Sequence, residues 1–276
     1  DKEFKSFSEL VLICTLEPCS HVGKTGSCAQ AIAKTGIKKV VIGSIDPNPL
    51  VSGNGIKILE ENGIQVEKGI CSDLVERQNR FFFFKQKNMR PYLTVKIASS
   101  ADGKSHLNNT ERTIITSEAS RDDVQILRAE RDAILTGGNT LRSDNPRMNA
   151  RVSFASNQPK KILLSSKEFN KNVFQFFNED SVDVHTSSNL EEVINFYKNS
   201  DLCSILIEAG PSLVKSFIET DMVDEIIVYT SKKILGENGV NWFDKNKTIE
   251  NYGFKLESSY KIDQDIKQTF VRNEKK

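Results

Sequence analysis

The chain has 276 residues, of which 38% are hydrophobic and 27% are charged, and this composition fits an ordinary soluble globular protein. Its 38 lysines and arginines nearly balance its 37 aspartates and glutamates, which excludes an overall electrostatic attraction to nucleic acid or to an anionic membrane. No run approaches the roughly 18 apolar residues of a membrane span, and no signal-peptide pattern opens the chain, so we expect a cytoplasmic protein without a membrane partner.

The first part of the chain alternates between strand patterns and helix patterns. Apolar runs bounded by turn residues predict the strands, and apolar residues at helical spacing predict the helices. The strand, helix, strand, helix, strand series is LVLICTL, SCAQAIAKTG, KKVVIGSI, IKILEENG and IQVEKG (10–16, 27–36, 38–45, 56–63 and 64–69). This alternation predicts βαβ units and a parallel sheet.

A helix over DLVERQNRFFFFKQKNMR (73–90) is predicted to close the first domain, and Pro91 marks a restart. We place the boundary there, which gives domains 1–89 and 90–276, in agreement with a length that favours two domains. The four consecutive phenylalanines cannot all face one side of a helix. Some of them are therefore expected to pack on a neighbouring domain or subunit, and we expect a homo-oligomer.

From Pro91 the alternation of strands and helices begins again. Strands are predicted for YLTVKIA, DAILTG, KKILLSS, CSILIEA and VDEIIVYTS (92–98, 132–137, 160–166, 203–209 and 223–231). Helices are predicted for SEASRDDVQILRAE, LEEVINFYKN and PSLVKSFIE (117–130, 190–199 and 211–219). A turn is predicted at SADGK (100–104), a loop between DAILTG and KKILLSS, and a closing edge strand at KQTFVRN (267–273).

The stretch TLEPCSHVGKTGSC (15–28) contains two of the five cysteines and one of the three histidines. An odd number of cysteines favours free thiols or metal ligands over a disulfide framework. Zinc deaminases of bases use a His/Cys/Cys ligand set in which a Pro-Cys pair starts a helix, with a separate glutamate as the proton shuttle. Here Cys19 follows Pro18 after a predicted strand, and Cys28 falls in the next helix pattern. The stretch therefore contains half of such a site.

A second candidate site lies at ILIEAGPSLVKSF (205–217), where a predicted strand runs through Glu208 and Gly210 into a helix. The amide donors and the dipole of such a helix start bind anions, and proline suits the first helical position. By itself this pattern is also typical of a plain tight turn.

Arginines cluster around the nearby glycine-rich loop TGGNTLRSDNPR (136–147). They are Arg128, Arg131, Arg142, Arg147 and Arg151. A guanidinium fork suits phosphate, and loops at the carboxyl edge of a parallel sheet bind ligands. The set as a whole indicates an anionic ligand, whereas Arg131, beside Asp132, is expected to form a surface charge pair.

Together these motifs resemble those of the bifunctional riboflavin-biosynthesis deaminase/reductases. The deaminase half of that family carries TLEPCSH-x-G-x-T-x-x-C and DPNP-x-V-x-G-x-G, which stand here as TLEPCSHVGKTGSC and DPNPLVSGNG. The reductase half carries VK-x-A-x-S-x-DG, ITS, LRA-x-x-DAIL-x-G-x-x-T, D-P-x-L-x-x-R and E-G-G. These stand here, in the same order, as VKIASSADGK, ITS, LRAERDAILTGGNT, DNPRMNAR and EAGPSLVKSF. The departures are Ala101, Met148 and Ala209, the last in place of a glycine.

The resemblance implies an α/β fold in two parts, the C-terminal part of a cytidine-deaminase-like α/β/α zinc domain (1–89) and a dihydrofolate-reductase-like α/β domain (90–276). It implies that Cys19 and Cys28 are zinc ligands. The third ligand and the proton-shuttling glutamate of the family come from an HAE motif, and no such motif precedes the strand at 10–16. A fragment of a complete enzyme, a decayed deaminase half and thiols that never bound metal stay open. We favour the fragment, with weak zinc binding and no deamination.

The resemblance also implies which residues contact the cofactor NADPH and a small phosphoribosyl pyrimidine substrate. The cofactor contacts are Ala98, Ile114, Thr140, Asp144, Gly210, Pro211, Ser212, Leu213, Val214, Lys215 and Ser216. The substrate contacts are Arg112, Arg128, Met148, Arg151 and Glu208, with the arginines on the ribose phosphate. The candidates for catalytic proton transfer are Lys96, Asp102 and Glu208, although Asp102-Gly103 is also typical of a plain turn.

The implied activity is reduction of the ribosyl group of 5-amino-6-(5-phosphoribosylamino)uracil to the ribitylamino product, a step of riboflavin biosynthesis. The full-length family also deaminates the pyrimidine precursor with zinc. Two alternatives stay open, a dihydrofolate-reductase-like reductase of another pterin or pyrimidine and a scaffold that has lost its chemistry. The arginine cluster favours a phosphorylated substrate, and the complete set of reductase motifs disfavours the scaffold.

Overall fold

The computed structural model describes residues 7–23, 26–49, 51–108, 113–178, 181–244 and 246–273. The chain divides into two units, Asp1–Met89 and Arg90–Lys276. Each unit combines helices with a sheet, so the α/β class expected from the sequence is confirmed. None of the helices formed by these residues has the length and apolar character that a bilayer crossing requires.

The described residues of the first unit form a three-stranded parallel sheet with helices. The elements are β1 (Val11–Leu16), α1 (Cys28–Ala33), β2 (Lys39–Ser44), α2 (Asn54–Glu61), β3 (Gln65–Lys68), α3 (Ser72–Gln78) and α4 (Arg80–Asn88). Strand β2 lies in the centre and pairs in parallel with β1 and β3. Ala29 of α1 and Leu59 of α2 are buried with Val40 and Ile42 of β2 in one apolar cluster. The predicted alternation of strands and helices is confirmed in this part of the chain.

The helix predicted over 73–90 is divided into two helices. The division falls at Asn79, whose backbone angles of φ −102° and ψ 23° lie outside the helical range. The Asn79 side chain donates its Nδ2 hydrogen bond to the Val75 carbonyl at 3.0 Å, and local bonds of this kind compete with helical ones. Helix α4 ends at Asn88, and Met89 follows in the left-handed region with φ 56°.

The described residues of the second unit form an eight-stranded sheet. The elements are β4 (Tyr92–Ser99), β5 (Lys104–Leu107), α5 (Glu118–Ala129), β6 (Ala133–Gly137), α6 (Gly138–Asp144), β7 (Lys160–Leu164), β8 (Val182–His185), α7 (Leu190–Phe196), β9 (Ser204–Ile207), α8 (Pro211–Glu219), β10 (Glu225–Thr230), β11 (Gly239–Asn241), β12 (Phe254–Ile262) and β13 (Asp265–Arg272). The strand order is β12-β13-β10-β4-β9-β6-β7-β8. The strands from β10 to β8 are parallel, whereas β13 pairs antiparallel with β10 and with β12. Strands β5 and β11 form a separate antiparallel ribbon.

Both faces of the central strands of this sheet are buried. Along β9, Ile205 and Ile207 belong to one apolar cluster, and Leu206 belongs to the other. Alternate residues of a strand point to opposite faces, so the two clusters lie on the two sides of the sheet. Helix α8 contributes Val214 and Phe217 to the first cluster. Burial on both faces explains why the central strands are near-continuous apolar runs that the sequence identifies.

Several features of the second unit differ from the prediction, which also did not include strands β5, β11 and β12. The segment predicted as a loop after DAILTG begins with α6. The first residue of this short helix is Gly138, and glycine is a poor helix former. Strand β8 was not predicted, because VDVH is only four residues long and half polar. The run KQTFVRN lies in β13, which has a partner on each side, and the edge position belongs to the largely exposed β12. The prediction of an edge strand there was wrong.

Candidate active site

A cleft with a volume of about 1510 Å³ lies in the second unit at the carboxyl ends of its parallel strands. Neighbouring strands each bring a residue from this end, or directly after it, to the lining. These residues are Ala98, Gly137, Leu164, Glu208 and Tyr229. Open α/β sheets bind ligands at this edge, because the loops that follow the strands meet there.

A buried charge cluster lies in the lining of the cleft. Glu208 is only 5% exposed, and Arg128 of α5 donates Nε to its Oε1 at 2.6 Å and Nη2 to its Oε2 at 2.9 Å. Such a pair of parallel bonds between arginine and a carboxylate fixes both groups in one orientation. The Lys96 ammonium of β4 lies 3.3 Å from the same Oε2 atom. The cluster therefore joins α5, β4 and the end of β9.

The electrostatics of the cluster favour the charged forms. Burial alone raises the pKa of the Glu208 carboxyl, but the charges of Arg128 and Lys96 outweigh burial and lower that pKa to about 2. Burial opposes the charge of Arg128 as well, yet the attraction of Glu208 keeps the pKa of this guanidinium above its ordinary value. Glu208 is thus a carboxylate at neutral pH and has no proton to donate.

The other described residues predicted to contact the substrate gather beside this cluster. Arg151 donates its backbone N–H to Gln125 Oε1 at 3.2 Å and its Nη1 to Asn149 Oδ1 at 2.8 Å. Arg128 reaches the same asparagine, with Nη1 donating to its carbonyl at 3.3 Å. Met148 is buried, has φ 52° and places its sulfur 4.0 Å from Arg128 Nη2. Arg112, predicted for the same role, lies outside the described residues.

Arg131 was expected to form a surface charge pair with Asp132, and that prediction was wrong. Its Nη1 lies 3.5 Å from Oε2 of its other neighbour in sequence, the exposed Glu130. The Arg131 side chain is 1% exposed, and Nη2 lies 3.3 Å from Oε2 of Glu225 on β10. Arg131 lies in the short turn between α5 and the fully buried β6, which carries its side chain into the interior, where a charge requires a counter-charge. Asp132 instead accepts hydrogen bonds from the backbone N–H groups of Cys203 and Ser204 at 2.8 and 2.9 Å.

The turn at 210–216, which was predicted to contact the cofactor, forms the start of α8 at the cleft. Gly210 caps this helix, Pro211 takes its first position, and the Gly210 N–H donates to Thr140 Oγ1 at 3.2 Å. Within the predicted turn, residues 210–213 line the cleft. Residues 214–216 do not, because Val214 points into the core, Lys215 pairs with Glu219 along the helix, and the Ser216 hydroxyl donates to the helix backbone.

The remaining described cofactor candidates also reach the cleft. They are Ala98, Ile114, Thr140 and Asp144. Next to these residues, the start of α6 comes close to the end of β7. A Cβ atom on Gly138 would lie 2.4 Å from Ser165 Oγ and 2.7 Å from Ser165 Cβ. Only glycine fits at 138 unless Ser165 moves, so the start of α6 lies directly against the end of β7.

Asp102 is not among the residues that line the cleft. Its Oδ1 accepts hydrogen bonds from Ser100 Oγ at 2.6 Å and from the Leu235 N–H at 3.1 Å, and its Oδ2 accepts one from the Gly236 N–H at 2.8 Å. The bond from Ser100 is the largest of the effects that lower the pKa of this carboxyl to about 2. Asp102 therefore joins two turns as a carboxylate, in agreement with the plain-turn interpretation of Asp102-Gly103.

Some residues of the cleft were not identified from the sequence. Polar side chains follow β7 and β8 into the lining, namely Ser165, Ser166, Lys167, Thr186, Ser187 and Ser188. The runs SSK and TSS directly after strand patterns were the available signal. Tyr229 donates to Asp123 Oδ2, which also accepts from Lys267 Nζ at 2.6 Å. These three residues are up to 144 positions apart, so no local pattern reveals their contact.

In the first unit, the two cysteines predicted to bind zinc lie side by side. The Cys28 N–H donates to Cys19 Sγ at 3.3 Å, and the hydrogen bond with Cys19 raises the pKa of the Cys28 thiol. Within the described ranges no group of three or more His, Cys, Asp and Glu side chains is arranged to hold a metal ion. The two thiols alone do not complete a zinc site.

Glu17 of the EPC motif has a different role from a metal ligand. Its buried carboxylate accepts hydrogen bonds from the backbone N–H groups of Asp46, Gly53, Gly55 and Ile56 at 2.9 to 3.3 Å. Helix α2 begins at this point, and a carboxylate at a helix start satisfies its exposed amides. Glu17 thus fixes the loop DPNPLVSGNG, which explains why glutamate stands before the Pro-Cys pair.

Comparison with known proteins agrees with this architecture. A family model described as the RibD C-terminal domain matches residues 91–268. The riboflavin biosynthesis protein RibD of Buchnera aphidicola is 35% identical, over 94% of this chain and 80% of that protein. The solved structure of Acinetobacter baumannii RibD, form 1, has a TM-score of 0.86 at 32% identity and covers 94% of this chain and 80% of its own.

A Thermotoga maritima structure is also similar, with a TM-score of 0.81 at 28% identity over 94% of this chain and 78% of its own. That protein is named as a diaminohydroxyphosphoribosylaminopyrimidine deaminase/5-amino-6-(5-phosphoribosylamino)uracil reductase. The similarity in these solved structures extends over both units of the chain, since the aligned share exceeds the length of either unit alone.

Proposed function

Because this chain belongs to the RibD family of riboflavin biosynthesis proteins, we propose that its second unit uses NADPH to reduce the ribosyl group of 5-amino-6-(5-phosphoribosylamino)uracil. The product is the ribitylamino compound. The observation that carries this proposal is the buried Glu208 carboxylate, which Arg128 and Lys96 hold in the wall of a large cleft. Membership of the family suggests which reaction takes place, and the charge cluster in the cleft supports the second unit as its site.

The residues of the cleft fit a dinucleotide beside a second ligand. Its volume of about 1510 Å³ exceeds the roughly 300–1,000 Å³ of a typical ligand pocket. The start of α8 offers amide donors to a phosphate, and a Cβ atom on Gly210 would meet only Thr140 Oγ1, at 3.9 Å, so ligand atoms have room to approach. We assign Ala98, Ile114, Thr140, Asp144 and 210–213 to NADPH. When bound, NADPH supplies a hydride.

The substrate side follows from the arginines. Arg151 lies next to Arg128 through their shared partner Asn149, and a guanidinium fork matches the oxygens of a phosphate. We assign the ribose phosphate to Arg151, and contact with the reacting end of the substrate to Glu208, Met148 and Arg128, whose guanidinium holds Glu208. Holding the phosphate at one end and the ribosyl carbon at the other keeps the reacting atoms in one geometry.

Proton transfer in this reaction is assigned to Lys96. Reduction of a carbon–nitrogen double bond adds a hydride to carbon and a proton to nitrogen. Glu208 has a pKa of about 2 and is already ionised, and Asp102 is not among the lining residues. The Lys96 ammonium is the candidate donor, because it lines the cleft and lies 3.3 Å from the Glu208 carboxylate.

The test is NADPH oxidation by the purified chain, followed by absorbance. The phosphorylated aminouracil substrate and its dephosphorylated analogue are compared at equal concentration. We expect oxidation with the phosphorylated compound and at least a tenfold higher KM for the analogue, since a charge-assisted hydrogen bond contributes about 1.5–3 kcal/mol. A folded protein that binds NADPH but oxidises it with neither compound would show that the substrate is a different one.

A further inference from the structure

His106 is the one histidine among the described residues that line the cleft, and the proposed reaction assigns it no role. It lies on β5, directly opposite Val240 of β11. Facing residues of an antiparallel pair project from the same side of the ribbon, and Val240 also lines the cleft. Trp242, which follows β11, donates Nε1 to the Ala98 carbonyl of β4 at 2.8 Å. This bond fastens the ribbon to the sheet and holds His106 at the cleft wall.

The hydrogen bonds around Ser105 determine which nitrogen of His106 carries the proton. Ser105 Oγ lies 3.0 Å from the Val240 carbonyl, which can only accept, so the hydroxyl proton is directed there. His106 Nδ1 lies 2.7 Å from the same Oγ, which then has only lone pairs to offer. Both contacts are hydrogen bonds at the same time only when Nδ1 carries the hydrogen, and we assign this tautomer on that ground. In the neutral ring the other nitrogen, Nε2, is then an acceptor.

Nε2 has no hydrogen-bond partner within the part of the chain that the structure describes. The ring is half-buried and lies on a wall that also includes Ala98 and Ile114. A fixed acceptor on the wall of a binding cleft is satisfied by a ligand group that donates a hydrogen bond, and its orientation is set before the ligand arrives.

We propose that His106 is a further ligand-binding residue of this cleft, whose Nε2 accepts a hydrogen bond from an O–H or N–H group of the bound ligand. The inference rests on the proposed reductase function, because that function names the two ligands of the cleft. Both offer such a donor, the carboxamide of the nicotinamide and the hydroxyls of the ribosyl group. Direct measurement of each ligand distinguishes these two sources.

The experiment compares His106→Asn with His106→Gln. The amide nitrogen of asparagine can keep the bond to Ser105 but does not extend to the position of Nε2, whereas glutamine extends an amide to that position. We expect His106→Asn to weaken binding of one ligand about 3- to 10-fold, as for loss of one neutral hydrogen bond, and His106→Gln to stay within about twofold of wild type. The matched control is His21→Asn in the first unit, which should leave both ligands unaffected.

Two measurements are made on each variant of the whole 276-residue chain, the Kd of NADPH by fluorescence titration and the KM of the phosphorylated substrate at saturating NADPH. A raised Kd identifies the cofactor as the donor, and a raised KM with unchanged Kd identifies the substrate.

Wild-type turnover with both constants unchanged in His106→Asn and His106→Ala overturns this inference alone. If the wild type binds NADPH without turnover, the proposed function fails and the Kd decides whether His106 binds the cofactor. If it binds no NADPH, both fail.

Discussion

At the scale of single residues, the charges around Glu208 are unequal. One carboxylate lies against two cations, Arg128 and Lys96, so the cluster carries a net positive charge in the wall of the cleft. A buried charge is weakly screened by salt, and such a surplus attracts an anion. This is how a chain with nearly balanced total charge can still favour a phosphorylated substrate: the attraction is local.

Glu208→Gln should be destabilising because it leaves two cations in a buried site without their counter-charge. Breaking one partner of a buried ion pair costs about 3–5 kcal/mol. We expect the free energy of unfolding in urea to fall by that order and the turnover number to fall by about 100-fold or more, since Lys96 and the substrate lose their electrostatic partner. Glu257→Gln, an exposed change on β12, is the matched control. Equal free energies of unfolding for the two variants would contradict the stabilising role of Glu208 in the charge cluster.

Acid should remove the same contribution in the wild type. The pKa of Glu208 is about 2 in the folded chain against an ordinary value of 4.5, so the unfolded chain binds the proton more readily. The stabilisation is therefore fully present above pH 4.5 and lost as the pH falls toward 2, and amounts to about 3 kcal/mol. Urea unfolding across this range should show a fall in the wild type that exceeds the fall in Glu208→Gln. Parallel pH curves for the two proteins would contradict the assignment.

Arg151→Ala should separate binding from chemistry. Loss of a charge-assisted contact to phosphate is expected to raise the KM of the phosphorylated substrate about 10- to 100-fold while the turnover number changes little. Arg147→Ala is the matched control, because Arg147 also lines the cleft but donates Nε to Gln175 Oε1 at 2.8 Å. The same increase in both variants would indicate a general effect of positive charge rather than a specific phosphate contact.

Residue patterns identified the residues of the cleft better than they identified the buried contacts that stabilise each unit. Arg128 and Glu208 each stand in a sequence motif that the resemblance identified, and the structure brings the two side chains into contact. The partners of Glu17 lie 29 to 39 positions away, and they are backbone N–H groups, which every residue except proline has. A sequence pattern contains no signal for such a bond. The burial of Arg131 was missed for the same reason, because its buried counter-charge, Glu225, is 94 positions away.

At the scale of elements, the junction of β6, α6 and β7 should tolerate no side chain at Gly138. Gly138→Ala places a Cβ atom 2.4 Å from Ser165 Oγ, and overpacking of this kind costs about 1–3 kcal/mol. Ser165→Gly removes the obstructing atoms, so the double variant should recover part of the loss in urea unfolding. Additive effects in this double-mutant cycle would show that the two residues do not clash.

The elements that the sequence predicted are those whose pattern is strong on its own. Central strands such as β6 and β9 are continuous apolar runs because both of their faces are buried. The elements that it missed depend on tertiary contacts. Strand β8 is short and pairs only at the sheet edge, and α6 begins with glycine where β7 comes close. The division of the predicted helix at Asn79 likewise depends on one side-chain bond that helical periodicity does not reveal.

At the scale of the whole molecule, the two units differ in how complete their candidate sites are. The second unit assembles a cleft, a buried charge cluster and the helix start proposed to bind a phosphate from described residues. The first unit places Cys19 beside Cys28 but adds no further ligand within the described ranges. Homo-oligomer formation, expected from the phenylalanine run of α4, stays a prediction.

The contrast between the units predicts that metal and reductase activity are independent. Two thiols without an imidazole bind zinc weakly, because a catalytic zinc site uses three protein ligands. After metal-free dialysis we expect well under one zinc per chain, measured by elemental analysis. Cys19→Ser should lower the remaining zinc content further without changing NADPH oxidation. Near-stoichiometric zinc in the dialysed wild type would contradict weak binding. A loss of NADPH oxidation in Cys19→Ser, with the fold intact by circular dichroism, would contradict the independence, since the proposed reduction assigns its roles to residues of the second unit.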